Sequence, residues 1–107
     1  MNSEINNIMT VCNYISENKS SEEINTLFIE ELSELIKAIA KLQRWNFGDS
    51  FLRCNYKDIN DNIYEELSDV IIMTFQFIHK NIISQDKLLN FIAKKLIRYY
   101  ETKTKEK

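Results

Sequence analysis

Apolar residues recur along this chain every three or four positions, in four stretches divided by short polar breaks. Residues 4–17 carry Ile5, Ile8, Met9, Val11, Cys12 and Ile15, the spacing of one helical face. Asn18-Lys19-Ser20 is polar, and Ser20 followed by Glu23 has the form of a capping box. A second helix is therefore predicted from about residue 21 to about residue 45. At roughly 100° per residue, Leu32, Leu35, Ile39 and Leu42 share an arc, with Ile24 and Leu27 near it. Residues 46–59 hold the only Gly, several polar residues, and Phe47, Phe51, Leu52 and Tyr56. They predict the longest loop, of a length that often serves function. A third helix is predicted from about 60 to about 80, capped by Asn60 or Asp61, with Ile63, Leu67, Val70, Ile71, Thr74 and Ile78 inward. Asn81 and Ser84 bracket a turn, and Ser84 is the expected cap of a fourth helix over about 85–101. Leu88, Leu89, Ile92, Leu96, Tyr99 and Tyr100 share its face, flanked by Lys95 and Arg98, and the charged tail beyond is expected to fray.

Composition narrows this to an all-α fold, a four-helix bundle. The chain has one Gly and no Pro, too few breakers for a turn-rich β fold. Its 107 residues make one domain, 1–107, with a single core. Helices this amphipathic in so short a chain leave apolar faces that an oligomer would cover, so at least a dimer is expected. The formal net charge of −2 gives no basic field to attract a nucleic-acid polymer. Cys12 and Cys54 match no metal or redox spacing, which favours reduced thiols and a cytoplasmic location. The N-terminal residues lack the pattern of a signal peptide, and no apolar stretch is long enough to span a bilayer, so no membrane partner is expected.

The charged residues change the picture most. Glu30-Glu31-Leu32-Ser33-Glu34 is echoed by Glu65-Glu66-Leu67-Ser68-Asp69, each inside a predicted helix. Residues three apart on a helix are neighbours, about 5–6 Å apart at Cβ, so Glu31 projects with Glu34 and Glu66 with Asp69. Glu31 is expected at the edge of the second helix's apolar arc, and Glu66 at the edge of the third's, beside Met73 and Phe77. If the two helices face each other, four carboxylates share a small volume. Such crowding raises their pKa values or demands a cation. Hard oxygen donors in that number suit Mg²⁺, Mn²⁺ or Ca²⁺.

With this pattern, E-E-x-x-E then E-x-x-D on successive helices, the chain resembles the MazG-like all-α nucleoside triphosphate pyrophosphohydrolases over roughly residues 20–100. The resemblance implies an oligomeric helical bundle, a homodimer or homotetramer. It implies Mg²⁺, with Mn²⁺ as a substitute, and a nucleoside triphosphate cleaved to monophosphate and pyrophosphate. It assigns metal binding to Glu31, Glu34, Glu66 and Asp69, and gives Glu30 a supporting part. Glu34 is the expected proton acceptor for the attacking water. Lys41, Lys95 and Arg98 are candidates for the outer phosphates. Trp45, Phe47, Phe51, Tyr56 and Tyr99 are candidates to stack on the base.

Plainer roles exist for each group. Glu30, Glu31 and Glu34 can form a solvated face paired with Lys37 and Lys41, and Glu65, Glu66 and Asp69 can serve as N-terminal helix acids. Trp45 and Phe47 can be core or dimer contacts, and Lys95 and Arg98 ordinary cations of a helix's second half. His79 is placed away from the acidic face, and Ser33 and Ser68 lack a base partner. A di-iron bundle would need E-x-x-H pairs, and the residue three before His79 is Gln76. The remaining alternative is a helical interaction module without catalysis.

Overall fold

Residues 2–105 are described by the computed structural model, as four α-helices and, among these residues, no strand. They are α1 (Asn2–Glu17), α2 (Ser21–Asn46), α3 (Tyr56–His79) and α4 (Gln85–Lys105). No helix of the described residues is long and apolar enough to cross a membrane. α3 is central: it packs along α2 and also against α1.

Side-chain caps start three of the helices. The Ser20 hydroxyl accepts from the Glu23 N–H at 3.1 Å, and Ser84 Oγ accepts from the Lys87 N–H at 3.3 Å, both as the spacing predicts. The third helix begins earlier than expected. Asn55 Oδ1 accepts from the Asp58 N–H at 2.9 Å, so Asn55 is the cap, and Asn60 and Asp61 lie inside the helix. The added turn buries Ile59, which is 1% exposed, and that burial favours the early start. The loop is thereby cut to residues 47–55.

α2 and α3 end in the same way. Gly48, at φ 75°, follows α2, with Gly48 N–H bonded to the Trp45 carbonyl and Asp49 N–H to that of Arg44. Asn81, at φ 58°, follows α3, with Asn81 N–H bonded to the Ile78 carbonyl and Ile82 N–H to that of Phe77. Both are Schellman ends, where a left-handed residue frees the chain to turn. Glycine has no Cβ to strain there, and asparagine tolerates the conformation better than most residues.

The buried faces are rotated from the expected arcs. On α2, Ile24 and Ala38 are buried and Leu35 and Leu42 half-buried, whereas Leu32 and Ile39 are exposed. On α3, Ile59, Met73 and Gln76 are buried, and Leu67 and Ile71 are exposed. Each helix is apolar over more than one side, and the side that faces its partner is chosen by packing. Phe28 and Phe77 meet edge to face, with centroids 4.6 Å apart, and help set that choice. Cys12 and Ser16 are buried on α1, and the Ser16 hydroxyl donates to the Asn13 carbonyl. Both cysteines are free thiols.

α4 stands apart. It packs on none of the other helices as they pack on each other, and only Leu88 among its apolar residues is even half-buried. It also continues through Lys105, past the predicted end at Glu101. The hydroxyls of Thr102 and Thr104 donate to the carbonyls of Arg98 and Tyr100 along that extra turn. Glu106 and Lys107, the rest of the tail expected to fray, lie outside the described residues.

Candidate metal centre

The inner faces of α2 and α3 meet in a band of aliphatic and aromatic side chains, and the acidic motifs fall within that band. Relative to the buried arc of α2, Glu31 sits near the middle, between Ile24, Leu35 and Ala38, and not at the edge as expected. Glu66 likewise lies among Ile59, Ile63, Val70 and Met73 on α3. Glu31, Glu66 and Asp69 are all half-buried, and one carboxylate oxygen from each lies within 4.8 Å of the others. Two rigid helices thus hold three acids at a spacing that one small ion can bridge.

The electrostatics follow from that crowding. Burial pushes the Glu31 carboxyl above its ordinary range, the Asp69 charge adds to the push, and so does a hydrogen bond with Asp69 that requires a shared proton. Glu66 and Glu30 contribute further repulsion. Burial also raises the Glu66 carboxyl, followed by the charges of Asp69, Glu34 and Glu65. Without a cation the cluster holds protons that ordinary carboxyls would shed. The donors are all hard oxygen, the class that Mg²⁺, Mn²⁺ and Ca²⁺ accept, and three protein oxygens leave coordination positions for water or phosphate. The residues therefore fit a divalent cation; they do not distinguish among these three.

Glu34 lies outside this trio. It is exposed, and Lys37 Nζ donates to its Oε1 at 3.2 Å, the solvated contact that i, i+3 spacing allows. Its charge still reaches Glu66. Glu30 is exposed one step further round. The Lys37–Glu34 contact is the pairing that the sequence offers as the plainer role of the acidic face. Ser33 and Ser68 donate to the carbonyls of Glu30 and Tyr64, so both hydroxyls are spent on the backbone.

The other candidates are spread out. Lys41 is exposed on α2. Lys95, Arg98 and Tyr99 are exposed on α4, which has no extensive packing on α2 or α3. Trp45 and Tyr56 face each other across the loop, with ring centroids 6.2 Å apart and planes tilted by 47°. Phe47 and Phe51 are 80% and 82% exposed in that loop. The loop itself is braced by Asp49, which accepts from Arg44 Nε at 2.7 Å and from the Phe51 N–H at 2.9 Å. The Arg44 bond, then the Phe51 amide, hold the Asp49 carboxyl below its ordinary range. His79 is half-buried at the end of α3, and its Nε2 has no partner among the described residues. Set against family models, curated proteins and solved structures, the chain gives no match.

Proposed function

We propose that this protein is a divalent-cation-dependent nucleoside triphosphate pyrophosphohydrolase of the MazG-like kind, working as an oligomer of two or four copies. The observation that carries the reading is the approach of Glu31, Glu66 and Asp69 oxygens to within 4.8 Å from two facing helices. A triphosphate is strongly anionic, and an acidic cluster repels it unless a cation lies between them. Mg²⁺, the ion that the family resemblance implies, would supply charge neutralisation and a more acidic bound water.

The chain's own residues have separable parts in this proposal. Glu31, Glu66 and Asp69 would hold the ion. Glu34, water-exposed and beside Glu66, accepts the proton of the water that attacks the α-phosphorus. As the bond to the bridging oxygen breaks, nucleoside monophosphate and pyrophosphate leave. Lys37, 3.2 Å from Glu34, helps to orient that carboxylate. Glu30 adds negative charge from outside the trio. Lys41 lies on the Glu34 side of α2 by angular count and is the proposed donor to the outer phosphates. Trp45, Tyr56, Phe47 and Phe51 form the only aromatic group at this end of α2 among the described residues, and they are the proposed platform for the base.

A panel of canonical and damaged nucleoside triphosphates, assayed with Mg²⁺ and with Mn²⁺ for monophosphate and pyrophosphate, tests the reaction. Glu66→Gln is expected to abolish turnover, by at least about 100-fold, while helix content stays unchanged. Full activity in that variant removes the site assignment. No turnover of any triphosphate by the wild-type chain leaves a non-catalytic helical module as the function.

A further inference from the structure

The molecule exposes far more surface than a folded chain of its mass needs to. A 12.8 kDa monomer is expected to expose about 6,300 Å². This chain exposes 8633 Å², an excess of about 2,300 Å². Its radius of gyration is 17.6 Å, against about 13 Å for a compact domain of this length. The excess exceeds the ~800 Å² that each partner contributes to a standard protein interface.

Two exposed stripes contribute to it, and they match. On α4, Leu89, Ile92, Leu96 and Tyr99 follow one another at steps of three, four and three residues. On α2, beside the arc that packs on α3, Ile29, Leu32, Ile36 and Ile39 follow at the same steps. All eight are exposed, with Ile29 at 68%, Ile36 at 67% and Leu96 at 62%. Steps of three and four are those of a helix-to-helix seam, in which each side chain enters a gap on the facing helix. Ser33 and Ala40 border the α2 stripe and Ala93 borders that of α4, and these small residues permit close approach.

Charge selects between the possible pairings. α4 carries six Lys and Arg (Lys87, Lys94, Lys95, Arg98, Lys103, Lys105) against two acids (Asp86, Glu101), a net charge of +4. α2 and α3 together carry ten Asp and Glu against four Lys and Arg, a net charge of −6. Two α4 helices would repel, whereas α4 is attracted to the α2–α3 pair. We propose that α4 is an intermolecular arm: its Leu89–Tyr99 stripe docks on the Ile29–Ile39 stripe of α2 in a second copy of this chain, and the exchange is reciprocal. This sharpens the oligomer of the preceding section and does not depend on the reaction.

Sedimentation across a concentration series, with circular dichroism for helix content, tests the contact. The wild-type chain is expected to dimerise at micromolar concentration. Ile36→Glu and Leu96→Lys, each alone, are expected to weaken dimerisation at least about 30-fold while staying helical. Mixing the two variants is expected to restore a dimer. In the mixed pair one contact is wild type, and the other sets the new Glu against the new Lys. Where a charge variant loses helix, Ile36→Ser and Leu96→Ser are read by the same sedimentation. A wild-type chain that stays monomeric overturns the proposal. So does an Ile36→Glu chain that dimerises normally, which would point to α4 on α4, and so does a mixture that stays monomeric. Sedimentation is blind to pyrophosphate release, so the arm and the enzymatic reading fail separately.

Discussion

The α2–α3 pair and α4 are built from similar material and end up in opposite conditions. Each is a long amphipathic helix with apolar residues at helical spacing. Between α2 and α3 the apolar faces close on one another and carry Glu31, Glu66 and Asp69 half inside, where burial and mutual repulsion raise two of the three carboxyls. On α4 the same kind of face is left largely uncovered, and Lys94, Lys95 and Arg98 are exposed. Amphipathic spacing thus announces that a face will be covered without naming the cover. Carboxyls become crowded where the cover is another helix carrying charges of the same sign.

The comparison can be broken by mutation. Ile59→Ala, in the packed pair, is expected to cost about 2–5 kcal/mol at any protein concentration, read from denaturant unfolding. Leu96→Ala, on the arm, is expected to lower stability only at concentrations where chains pair. Equal, concentration-independent losses at both positions would erase the distinction between the two regions.

The acidic cluster makes a second expectation, next in size. Above the ordinary carboxyl range and below the raised values of Glu31 and Glu66, the folded chain holds more protons than the unfolded one. Stability of the metal-free protein therefore falls as pH rises through that window, and returns on acidification. Thermal melting without metal should show this loss as pH rises above the ordinary carboxyl range. Adding Mg²⁺ or Mn²⁺ at neutral pH should recover it, because the ion binds the folded cluster. Glu66→Gln should melt higher than wild type without metal and respond less to the ion. An equal rise with metal in both proteins would place the ion elsewhere.

The smallest effect concerns where the packed pair begins. Asn55→Ala removes the cap of α3 and is expected to cost about 1 kcal/mol, while Asn60→Ala, inside the helix, should cost less. The reverse order would restore the later start that the sequence predicts.

The start of α3 shows where sequence reading falters. Asn55, Asn60 and Asp61 are all acceptable caps. The buried Ile59, one turn after Asn55, tips the choice, and its burial is a property of the packed pair. Leu32 and Ile39 teach the same lesson on α2. They share an arc with Leu35 and Leu42, yet they lie outside, because a helix apolar over a wide arc can turn either edge toward its neighbour. That rotation carries Glu31 from the expected rim toward the middle of the contact, and leaves Glu34 in water beside Lys37.

By itself, the sequence determined four helices, the caps at Ser20 and Ser84, the turn at Asn81, and two acidic motifs on successive helices. These are local properties, set by hydrogen bonds and side chains within a few residues of one another. Only the tertiary structure decided that Glu31, Glu66 and Asp69 converge while Glu34 does not, and that α4 leaves the other three. Those outcomes depend on which faces of rigid rods meet, and every rod here has more apolar surface than one neighbour can cover.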